Sequence, residues 1–63
     1  MKRGDLLRRL RQYGCILKRE GRSHSIWLNP ETGVAETVPR HAEIDDRLAR
    51  KICRRLGVPE PPA

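Results

Sequence analysis

The residues able to do chemistry in this 63-residue chain gather in one short stretch, Gly21 to Trp27, which reads GRSHSIW. His24 stands there between Ser23 and Ser25, two positions after Arg22 and five after Arg19. Imidazole suits proton transfer near neutrality because its ordinary pKa is near 6.5. Guanidinium groups suit the stabilisation of charge on a phosphate. Metal-independent cleavage of RNA asks for those two abilities together. One proton must leave the attacking 2′-hydroxyl, another must reach the departing oxygen, and the phosphate charge must be balanced. His24, Arg22 and Arg19 meet that minimum. Taken by itself, a lone histidine at a strand start fits a surface or packing role better than a catalytic one.

The other candidates are weaker. His41 follows Arg40 in a polar connection, where a loop-capping role fits it better than a second proton-transfer group or an RNA contact. Arg40 is a supporting phosphate contact. Ser23 orients the loop or hydrogen-bonds a phosphate; a serine nucleophile would need an acid–histidine pair that the sequence does not offer. Trp27, the only tryptophan, is a candidate to stack a base, although anchoring a small core or a partner interface is the more economical role for it. Cys15 and Cys53 are far apart and form no CxxC unit. Their spacing with His24 and His41 matches no zinc pattern, so both are expected as reduced core filler in a cytoplasmic protein. No metal and no cofactor are expected.

Charge narrows the range of partners. The net charge is +6. Residues 1–22 carry eight Lys/Arg against two acids, residues 23–47 two against five, and residues 48–63 four against one. The positive charge thus sits at the two ends of the chain, in segments that read as helices. That favours a polyanion such as RNA, although solvated helix faces give the same pattern. No apolar run approaches the ~18 residues of a membrane span, and no signal-peptide core opens the chain. With 37% hydrophobic residues and no Phe, the chain has room for one small core and no deep cofactor pocket. A domain of this size buries only roughly 60% of its unfolded surface.

The elements that must position these residues follow from periodicity. In GDLLRRLRQYG, Leu6, Leu7, Leu10 and Tyr13 share one helical face. Asp5 suits the positive end of that helix, and Gly14 its stop. CILKRE reads as a short strand, Gly21-Arg22 as a tight connection and SHSIWLN as a second strand. Alternation places His24, Ile26 and Leu28 on one face and Ser25 and Trp27 on the other. The expectation is that His24 is partly buried behind helices while the face carrying Trp27 is the more open one. NPETG is a turn, VAETV is a third strand, and Pro39 ends it. Asp45 or Asp46 caps a second helix with Leu48, Ala49, Ile52, Cys53 and Leu56 on one face and Gly57 at its end. The proline-rich residues 59–63 read as an extended tail after a single domain over 1–58. The predicted fold is α+β, a two-layer α-β-β-β-α sandwich with both helices on one face of a three-stranded antiparallel sheet.

This order, with Ser23-His24 opening the second strand, NPETG at the hairpin, VPRHAEI from Val38 to Ile44 and the final RRLGV, resembles the HicA (YcfA-like) toxins of toxin–antitoxin systems. The resemblance covers roughly residues 2 to 58. It implies a double-stranded-RNA-binding-domain-like fold, endoribonuclease (mRNA interferase) activity with His24 as the catalytic residue, and neutralisation by a HicB-like antitoxin that covers the active site. The chain departs from the family at two places. Arg22 stands where a glycine usually precedes Ser-His, with the glycine one position earlier at Gly21. Ser25 stands where a second histidine or a bulky polar residue often follows. A degenerate relative on the same fold, binding RNA or antitoxin without catalysis, is the alternative. A DNA-binding accessory domain rests on charge alone.

Overall fold

The computed structural model describes residues 1–62. Helix α1 spans Arg3–Gln12, strands β1, β2 and β3 span Ile16–Glu20, His24–Asn29 and Val34–Pro39, and helix α2 spans Asp46–Arg55. The strands form one antiparallel sheet in the order β1-β2-β3. Both helices lie over the same face, so the α-β-β-β-α sandwich expected from the sequence is the observed fold.

Each helix is amphipathic and ends the same way. Leu6, Leu7 and Leu10 of α1 are buried, as are Ala49, Ile52 and Cys53 of α2. The chain then turns through Gly14 (φ 88°) and Gly57 (φ 70°). The amides of Cys15 and Val58 reach back to the carbonyls of Leu10 and Cys53 at 2.9 and 2.8 Å, the bond pattern of a glycine-terminated helix. Of the two expected caps, Asp45 is the one used: its carboxylate accepts from the Arg47 and Leu48 amides.

The face assignment is corrected. Ser25, Trp27 and Asn29 of β2 point into the helix-covered layer, whereas His24 is exposed and Ile26 and Leu28 are half-buried on the open face. Trp27 is 1% exposed and packs within the core formed by Leu6, Leu10, Val38, Ile44, Ile52 and Leu56. The Arg11 guanidinium lies 5.2 Å from its ring centroid. The physical reason is volume. The covered face goes to the parity with the largest apolar side chain, and its polar companions are satisfied by hydrogen bonds. Ser25 bonds Arg3 and Glu20, and Asn29 Nδ2 donates to the Leu56 carbonyl at 2.7 Å.

A bulge in β1 makes this face continuous. Leu17 pairs with Trp27 and Glu20 with Ser25, and the register shifts by one residue between Leu17 and Arg19. Residues three apart would otherwise point to opposite faces; the extra residue brings both Leu17 and Glu20 to the covered side. Strand β3 runs one residue beyond expectation, through Pro39, which pairs with His24. Residues 59–62 form neither helix nor strand; Arg9 holds them by bonds to the Pro59 and Glu60 carbonyls. Ala63, the end of the expected tail, lies outside the described residues.

Candidate functional site

The site is built on the β1–β2 hairpin. Arg22 and Ser23 form its two-residue loop, closed by the Gly21 amide donating to the His24 carbonyl at 2.8 Å. A Cβ at position 21 would sit 2.7 Å from that same oxygen. Glycine is therefore required at 21, one residue before the place where the family pattern puts it. Arg22 has no positive φ and its side chain is exposed at the tip, so the arginine does not strain the loop.

His24 is the first residue of β2, exposed on the open sheet face. Its neighbours follow from the register. Pro39 lies opposite on β3, while Arg19, opposite Ile26, is the diagonal neighbour on β1, a spacing of about 7–8 Å between backbones. Arg19 and Arg22 are both exposed, so two arginines stand near His24 along the backbone, one on the neighbouring strand and one in the hairpin loop. Behind His24 the covered face is held by a polar chain. Arg3 Nη2 donates to Ser25 Oγ at 2.7 Å, and Ser25 Oγ donates to Glu20 Oε1 at 2.5 Å. Arg3 Nε also donates to the Pro39 carbonyl at 2.9 Å.

Arg40 closes the arrangement. Its amide donates to the Ser23 carbonyl at 3.2 Å, its Nη1 to the Gly21 carbonyl at 3.1 Å, and its Nε lies 3.6 Å from Glu20 Oε1. Of the residues singled out in the sequence, the structure therefore brings together His24, Arg22, Ser23, Arg19 and Arg40. His41 is exposed in the connection one residue beyond Arg40. Trp27 takes the core-anchoring role preferred for it: buried under the helices, it has no face to offer a base, which removes it from the candidate RNA contacts. The cysteines belong to the core too, with burial pushing both thiols above their ordinary range. They lie between the layers, on the far side of the sheet from His24. Among the described residues no group of three or more His, Cys, Asp and Glu is placed to hold a metal ion.

Arg3 and Glu20 were not singled out in the sequence, and Ser25 only as a departure from the family pattern. A two-residue loop fixes Glu20 opposite Ser25, so that pair was open to a register argument. Arg3 comes from the start of α1 and joins only through the fold. An open cleft of about 670 Å³ lies beside this network, lined by Lys2, Arg3, Asp5, Arg8, Arg40 and Glu43 among others.

Fold and site together define a small basic α+β protein that displays one histidine at the end of a hairpin, with arginines in the loop and on the neighbouring strand. A family model described as the HicA toxin of bacterial toxin–antitoxin matches residues 3–58. The chain belongs to the HicA toxin family, and a toxin role within a toxin–antitoxin pair comes with that membership. No curated protein and no solved structure matches it. No helix among the described residues is long and apolar enough to cross a membrane.

Proposed function

We propose that this toxin is a metal-independent endoribonuclease acting on mRNA, with His24 as general acid or base, and that a HicB-like antitoxin neutralises it by covering the His24 face. The observation carrying the proposal is the display of His24 on the open side of the sheet, next to Arg19 and Arg22, in a chain of the HicA toxin family. The 2′-hydroxyl of the substrate loses its proton and its oxygen bonds the adjacent phosphorus. The bond to the 5′-oxygen breaks, that oxygen takes up a proton, and a cyclic phosphate is left. A single imidazole serves one of the two proton transfers directly. Arg19 and Arg22 supply positive charge for the phosphate.

Incubating purified protein with a defined RNA tests this. Wild type is expected to cleave it, and His24→Ala to lose roughly 10²–10⁴-fold in rate with its thermal melt unchanged. Undiminished cleavage by folded His24→Ala would remove the catalytic assignment. Salt-sensitive RNA binding with no cleavage by wild type would favour the non-catalytic reading, to which the Arg22 and Ser25 departures point.

A further inference from the structure

We infer that Glu20 and Arg40, together with the buried Ser25 and the half-buried Arg3, are positioning residues that set the hairpin from which His24 projects; the inference rests on the catalytic reading of His24. Four residues around His24 are held by this set, two by Arg40 and two by Arg3. Gly21, its hairpin partner, accepts from Arg40 Nη1, and Ser23, immediately before it, accepts from the Arg40 amide. Ser25, immediately after it, is fully buried and is held from both sides by Arg3 and Glu20. Pro39, opposite it on β3, accepts from Arg3 Nε. Glu20 joins the two arginine arms, meeting Arg3 through Ser25 Oγ and Arg40 through the 3.6 Å ion pair.

The geometry explains why such a clamp is needed. His24 lies at the sheet's end, beside a two-residue loop whose side chains are exposed, and β1 is interrupted by a bulge a few residues away. Backbone pairing alone leaves such an end free to fray. A proton-transfer group must be held within hydrogen-bond reach of its target, and a shift of about 1 Å can cost on the order of 100-fold in rate. Glu20, Ser25 and Arg3 meet on the covered side of the sheet, away from the open face where substrate would lie beside His24. Their effect is therefore expected on turnover more than on binding.

The test compares Glu20→Ala, Ser25→Ala and Glu20→Gln with wild type. Glu20→Ala and Ser25→Ala should lower kcat on the order of ten- to a hundred-fold with KM little changed. Glu20→Gln keeps an acceptor for Ser25 Oγ and should recover most of that loss. In parallel, amide hydrogen exchange at residues 21–25 should quicken in the two alanine variants, with the protection of α1 and α2 retained. If His24→Ala is inactive but both alanine variants turn over like wild type, the positioning role is overturned and the catalytic reading stands. If wild type cleaves no RNA, the catalytic reading fails, and this inference fails with it as far as catalysis is concerned. Unchanged exchange at residues 21–25 overturns the clamp whatever the catalysis.

Discussion

At the scale of single residues, the hairpin depends most on what is missing at position 21. The Gly21 amide bonds the His24 carbonyl at 2.8 Å, and the same oxygen occupies the space a Cβ would need. Backbone is on both sides of that contact, so no flexible side chain can move aside. Gly21→Ala is expected to cost about 1–3 kcal/mol, the range of overpacked sites, read as a lower urea midpoint at unchanged slope. A midpoint equal to that of wild type would mean that the hairpin re-forms around the methyl group. Arg22 presents the contrast. It sits in ordinary backbone conformation at the exposed tip, so its side chain is free to be selected for charge. The glycine of the family pattern and the arginine of this chain thus answer different needs, one steric and one electrostatic.

At the scale of elements, α2 supplies Ala49, Ile52 and Cys53 to the core and is started by Asp45, whose carboxylate accepts from two otherwise unbonded amides. Asp45→Ala should remove about 1 kcal/mol, a fall of about 4–8 °C in Tm for a domain of this size; a calorimetric scan that did not move would show the cap to be redundant with Asp46. The existence and order of the elements were legible because their apolar periods are clean: Leu6, Leu7 and Leu10 on α1, NPETG between β2 and β3, and the Ala49-Ile52-Cys53 stripe on α2. The facing of β2 was not. Ile26 and Leu28 outnumber Trp27, and Ser25 and Asn29 look like solvent residues until their partners are known. Those partners, Arg3 and the Leu56 carbonyl, come from distant parts of the chain, where no local pattern reaches. The bulge after Leu17 likewise changes the parity of β1 without a glycine or proline to announce it. His24 itself was found from its residue type and setting, but its exposure was predicted the wrong way round for the same reason as Trp27.

At the scale of the whole molecule, a small core leaves much of the work to latches between distant parts of the chain. The Met1 amine donates to Glu43 Oε2 at 2.7 Å, to the Ile44 carbonyl at 2.8 Å and to Asp46 Oδ1 at 2.8 Å, and beside it the backbones of Lys2 and Glu43 pair in an isolated antiparallel β-bridge. This clasp ties the start of α1 to the start of α2, and through Arg3 to the Ser25 network behind His24. The hydrogen bonds to Asp46 and then Glu43 raise the amine's pKa, and the same amine lowers that of Asp46. The two shifts set a window. The raised amine contributes stability that is whole below its unfolded value, about 8, and is lost as pH climbs through the higher folded value. The lowered carboxyl contributes stability present above its unfolded value, about 4, and lost as pH falls through the lower folded one. Because these groups are solvent-exposed, salt should weaken the effect. Comparing urea midpoints of wild type and Asp46→Asn across pH checks the clasp. The gap between them should be widest between about pH 5 and pH 8 and narrow on either side. A part should survive at high pH, because Asp46 in the first turn of α2 also meets the positive end of that helix. A gap that stayed constant from about pH 7 to about pH 10 would assign the whole effect of Asp46 to its own helix and leave the amine with no share in holding the two helices together.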